Sequence, residues 1–139
     1  MPAPCAKPGE RVILDLGDVK NIATVTVNGK TFPVLWKPPY LLDITEALRD
    51  GGASTTSLSL EIKVTNLWPN RLIGDDALPC DAQYGKSGKG KNGIVEIPRR
   101  VWMGVPSPVG RHTFTTWRLW KKSDKLLPSG LIGPVRLLH

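Results

Sequence analysis

Histidine and cysteine are scarce in this chain: it has only His112 and His139, Cys5 and Cys80. None of them has the close spacing of a zinc site, so no metal ligand set is predicted. Two cysteines are also too few for a disulfide framework. Cys5 and Cys80 could pair, but with no compartment indicated they read as two free thiols. Long apolar runs are missing, which argues against a membrane span. The opening Met1-Pro2-Ala3-Pro4-Cys5 lacks the apolar core of a signal peptide. No G-x-S-x-G elbow occurs. Gly88-Lys89-Gly90-Lys91-Asn92-Gly93 matches G-x-G-x-x-G, but no predicted strand leads into it and no predicted helix follows. The same run approaches a phosphate loop, yet Asn92 stands where a Ser or Thr must hold magnesium. No cofactor is expected.

Helical periodicity is scarce too, while turn formers are plentiful, with 14 Gly and 13 Pro among 139 residues. The length suits one domain with a real core. Alternation predicts strands over 11–16, 22–27, 31–36, 40–44, 58–65, 94–97, 111–120 and 131–138, the last interrupted at Gly133-Pro134. Within 22–27, Ala23, Val25 and Val27 point inward. Asn28-Gly29 signals a type I′ hairpin, and Pro33 in the returning strand suggests an edge or a bulge. One short helix is predicted over 45–49, capped by Asp43 or Thr45 and stopped by Gly51-Gly52. Residues 69–110 show no long alternating segment and read as one long loop or insertion, most flexible through the Gly/Lys run of 85–93. Seven or eight strands joined by frequent turns argue an all-β sandwich spanning 1–139.

The stretch 64–75 organises the functional reading. The strand ending at Thr65 runs into Trp68, Pro69, Asn70, Arg71 and Asp75. Pro69 has no N–H with which to continue a ladder. Polar and aromatic groups at a strand end serve either a binding surface or a structural corner. Five Trp against two Phe and two Tyr point the same two ways, since Trp suits both cores and sugar faces. Trp117 and Trp120 are three apart, so in a strand they would face opposite sides. Arg71 and Asp75 could pair with each other or hydrogen-bond ligand hydroxyls. Asp75, Asp76 and Asp81 could hold a glycosidase acid pair, although solvated loop acids explain them as well. A net charge of +7 admits nucleic acid, acidic polysaccharide or an acidic membrane. Only Trp117-Arg118-Leu119-Trp120-Lys121-Lys122 mixes aromatic and basic residues as a nucleic-acid surface would. The expected partner is a polysaccharide or oligosaccharide, acidic ones included, and neither nucleic acid nor a membrane.

Several segments in order carry a family resemblance: Leu14-Asp15-Leu16-Gly17, Val27-Asn28-Gly29-Lys30, Leu35-Trp36-Lys37-Pro38-Pro39-Tyr40, Asp43-Ile44-Thr45, Val64-Thr65-Asn66-Leu67-Trp68-Pro69-Asn70-Arg71-Leu72-Ile73-Gly74-Asp75, Thr113-Phe114-Thr115-Thr116-Trp117 and Leu127-Pro128-Ser129-Gly130-Leu131-Ile132-Gly133-Pro134-Val135. Together they resemble the C-terminal sugar-binding-type domain of glycoside hydrolase family 106, the α-L-rhamnosidase-like enzymes. The resemblance implies a jelly-roll sandwich of the galactose-binding-like kind and a secreted or periplasmic setting. In that family the catalytic acids and calcium lie on a separate barrel domain, so no catalytic residue is carried over.

The resulting expectation is a non-catalytic carbohydrate-binding module, or a fragment of one, with Trp68, Asn70, Arg71, Asp75, Trp117 and Trp120 as ligand-binding candidates. A docking role toward a catalytic domain and a small independent glycoside hydrolase are the alternatives. Relative to the family, strands before Arg11 are missing and the Gly/Lys loop is longer. Unpaired sandwich edges would then favour a homodimer or higher oligomer.

Overall fold

A computed structural model describes residues 9–50, 57–86 and 93–139. Gly51-Gly52 as a helix stop and the Gly/Lys motifs over 87–92 fall outside the described residues, as does Cys5. The chain divides into two compact units, Met1–Leu67 with Pro128–His139, and Trp68–Leu127.

In the first unit, β1 (Ile13–Asp15) lies between β10 (Arg136–Leu138) and β5 (Leu41–Asp43). A second three-stranded sheet places β3 (Ile22–Val27) between β4 (Lys30–Thr31) and β6 (Leu60–Thr65). β2 (Asp18–Lys20) pairs with β9 (Gly130–Gly133). Every pairing is antiparallel. Alternation decides which side chains are buried: Val12, Leu14 and Leu16 come from around β1, and Ala23, Val25 and Val27 from β3. They form one core with Tyr40, Ile44 and Ala47, and Leu60, Ile62 and Val64 of β6 pack on it. Each fully buried Val or Leu contributes about 1.5–3 kcal/mol. The all-β expectation is met.

The hairpin at Asn28-Gly29 has positive φ at both residues, 47° and 81°, as a type I′ turn requires. Asn28 does more than turn the chain. Its side chain donates to Ala47 O at 3.2 Å and accepts from Ser59 N–H at 3.1 Å. The returning segment pairs Thr31 with Thr26, then Leu35 with Ala23. Between those pairings three residues, 32–34, face two, 24–25, so of the edge or bulge expected at Pro33 the chain shows one extra residue, a bulge. α1 (Thr45–Asp50) begins where Asp43 accepts from both Thr45 N–H (3.0 Å) and its hydroxyl (2.6 Å). Thr45 Oγ1 in turn accepts from Val12 N–H.

The second unit corrects the sequence reading. Residues 69–110 are not one loop, and 45–49 is not the single helix. They contain α2 (Pro69–Asp76), the ribbon β7 (Gln83–Tyr84) with β8 (Ile94–Glu96), and α3 (Arg99–Met103). Pro69 occupies the first turn of α2, where a missing N–H costs nothing. The strand predicted over 111–120 does not form. Its backbone groups are satisfied by other partners: His112 and Thr113 N–H donate to Asp75, Thr115 O accepts from the Tyr84 hydroxyl, and Thr116 O accepts from Ile94 N–H.

Candidate functional site

Of the six candidate ligand residues, all fall in the Trp68–Leu127 unit. Trp68 caps the start of α2 through its backbone, its carbonyl accepting from Leu72 N–H, and its side chain contributes no cap bond. The residue is 67% exposed. Arg71, three residues on, is also exposed and makes no hydrogen bond or ion pair among the described residues. At this spacing the two lie on neighbouring parts of the helix surface.

Asn70 and Asp75 are committed to structure. Asn70 donates to Leu127 O and accepts from Leu127 N–H, both at 2.8 Å. Asp75 is 2% exposed. Its Oδ2 accepts from His112 N–H (2.9 Å), Thr113 N–H (2.7 Å) and the Thr113 hydroxyl (2.7 Å). Burial pushes its carboxyl up. The three hydrogen bonds and the field of Arg71 outweigh that and hold it below its ordinary value. Arg71 and Asp75 do not form the direct ion pair that their spacing allowed; Arg71 acts on the carboxylate only through its field, and the hydrogen bonds come from His112 and Thr113.

Trp117 and Trp120 are not on opposite faces, since no strand separates them. Both line one narrow cleft with Leu72, Tyr84, Phe114 and Leu119. The charged groups of that cleft are all paired. Asp76 accepts from Arg118 Nε (2.9 Å) and Nη2 (2.6 Å), and from Lys122 N–H (3.0 Å). Arg111 donates to the carbonyls of Pro79 and Leu78. Asp81 accepts from Arg100 and from the Ser107 hydroxyl. For Asp76 and Asp81, as for Asp75, burial raises the carboxyl and these partners bring it below its ordinary value. A glycosidase general acid needs the opposite, a raised pKa. Asp75 and Asp76 at the end of α2, and Asp81 beyond it, brace the surrounding chain through these hydrogen bonds. The cleft encloses only about 30 Å³, room for roughly two water molecules.

The sequence reading missed a second depression. A groove of about 440 Å³ runs along the β7–β8 ribbon and the first turn of α3, beside Gln83, Glu96 and Arg99. Two short strands flanking a Gly-rich run were the available signal, a hairpin pattern with a long connection. Cys80, exposed and free, lies on its edge.

No protein-family model matches the chain. A Formosa agariphila protein provisionally named a beta-glucuronidase is 44% identical over 131 residues, which cover 94% of this chain and 10% of that protein. A solved rhamnosidase from Novosphingobium sp. PP1Y matches with a TM-score of 0.55 and 34% identity over 91% of this chain and 9% of that structure. Over most of its length the chain is thus similar to a short segment of proteins named for glycosidase activities. It spans about a tenth of the length of these relatives.

Proposed function

We propose that the chain is a non-catalytic, carbohydrate-contacting accessory domain of a glycoside hydrolase-type protein, folded as a galactose-binding-like jelly roll. The observation that carries this reading is the exposed Trp68 ring beside Arg71 on α2. An indole offers an apolar face to a sugar ring, and a guanidinium offers donors to its hydroxyls or to a uronate. Asn70 and Asp75 stiffen this platform rather than touch ligand. Trp117 and Trp120 belong to the narrow cleft, Trp117 with half of its surface exposed.

Titration of the protein with a panel of plant and bacterial oligosaccharides tests the reading. Trp68→Ala should weaken binding by about 1–3 kcal/mol, as loss of an interface aromatic does. Its thermal midpoint should stay unchanged, because the ring is not core. Binding that survives Trp68→Ala intact would remove the platform. With net charge +7, binding to an acidic glycan should also fall with salt, and binding to a neutral one should not.

A docking role is favoured by a separate observation. Val34, Trp36, Ile132 and Val135 of the first unit are large, apolar and exposed. Were these side chains to share one patch, another protein domain would be its expected cover. Failure of every glycan in the panel, with an intact fold, would select this reading.

A further inference from the structure

The groove along the β7–β8 ribbon has the dimensions of a ligand site. At about 440 Å³ it falls within the roughly 300–1,000 Å³ that small-ligand sites occupy. The cleft beside Trp117 and Trp120, about 30 Å³, does not. Gln83 and Glu96 are direct cross-strand partners, so their side chains leave the ribbon on one face. Arg99 follows Glu96 by three residues and opens α3. All three border the groove. Among the described residues, none of these three side chains makes a hydrogen bond or an ion pair. Ile97 and Pro98 supply an apolar wall.

The donor and acceptor inventory selects the ligand class. Glu96 can only accept, Arg99 can only donate, and Gln83 does both. A sugar hydroxyl also donates and accepts, so a row of hydroxyls satisfies all three at once. A phosphate or a uronate would satisfy Arg99 but meet the like charge of Glu96. We propose that this groove binds one neutral sugar unit, with Glu96 and Gln83 accepting from its hydroxyls and Arg99 donating to them. Trp102, one turn beyond Arg99 on α3 and 75% exposed, provides a ring for the next unit of the chain. The inference rests on the carbohydrate-contacting reading but places the sugar at a different surface from Trp68.

Amide-detected NMR titration of the full chain tests it, with L-rhamnose and D-galactose as neutral probes and D-glucuronate as the charged one. At least one neutral sugar should shift the resonances of Gln83, Glu96 and Arg99, and D-glucuronate should bind at least tenfold more weakly. Glu96→Gln and Arg99→Ala should each weaken the neutral sugar tenfold or more. Both alter exposed side chains, and retained spectral dispersion checks the fold. Shifts confined to 68–71 and abolished by Trp68→Ala would overturn the groove and leave the carbohydrate-contacting reading standing. Tighter binding of D-glucuronate at the groove would overturn the neutral class. Shifts from none of the probes, together with failure of the oligosaccharide panel, would overturn both readings.

Discussion

A single oxygen of Asp75 holds both the backbone N–H and the hydroxyl of Thr113, each at 2.7 Å. The same oxygen takes the N–H of His112. Asp75 sits in the last turn of α2, where the helix dipole disfavours an acid. Three donors more than compensate, because a carboxylate bond to N–H is roughly twice as strong as a neutral one. Residues 111–113 thereby exchange strand pairing for anchorage to a helix.

Asp75→Ala should destabilise the protein by about 3 kcal/mol, since it strands two backbone donors that each cost about 1–3 kcal/mol unpaired. Asp75→Asn should cost less, because an amide oxygen still accepts. Urea unfolding measures both. A loss below about 0.5 kcal/mol for the alanine variant would place it among neutral surface changes and rule out the anchor.

Asp75, Asp76 and Asp81 all have carboxyls held below the ordinary value of 3.8. Groups depressed in the folded state contribute stability that is fully present above the unfolded value and lost as pH falls through the folded one. Thermal midpoints should therefore hold steady from neutral pH to about pH 5 and then drop as pH falls below about 4. Asp75→Asn should flatten that drop. A profile identical to that of the unsubstituted protein would show that Asp75 is not among the groups responsible.

Gly17 has φ of 64°, and a Cβ placed on it would lie 2.6 Å from the backbone carbon of Gly133. The neighbour is backbone, so it cannot rotate away. Gly17→Ala should cost about 2–6 kcal/mol, combining roughly 1–3 for the left-handed conformation with 1–3 for overpacking. Calorimetry with a near-normal midpoint for this variant would contradict the close approach.

The first unit was largely legible because its signals are local. Ile22 to Val27 alternates, Asn28-Gly29 permits one kind of turn, and Asp43 lies two residues before the helix it caps. The second unit was not legible because its determinants are distant side chains. Nothing near 111–120 reveals that Asp75, Tyr84 and Ile94 will take its backbone groups, so its alternation looked like a strand. Pro69 was weighed as a strand breaker when it is equally a first-turn helix residue. For the site, exposure separated what spacing could not: Trp68 and Arg71 face solvent, while Asn70 and Asp75, from the same short stretch, face the fold.

Association of the chain with itself is expected from its exposed apolar side chains, Trp36 and Ile132 among them. Light scattering should give a dimer or larger species at micromolar concentration. A mass near 15.2 kDa at every concentration would reject self-association and leave that surface for a different protein domain.

Asn66 accepts from Gly130 N–H at 2.7 Å within the first unit, and Asn70 clasps Leu127 within the second. Each unit thus closes its own side of the crossing where the chain departs near 67 and returns near 128. A segment whose two ends are fastened together on both sides behaves as a cassette. Its length and sequence can change without straining the strands that carry it. Residues 68–127 are thereby free to vary as a block while the β-framework around them stays the same.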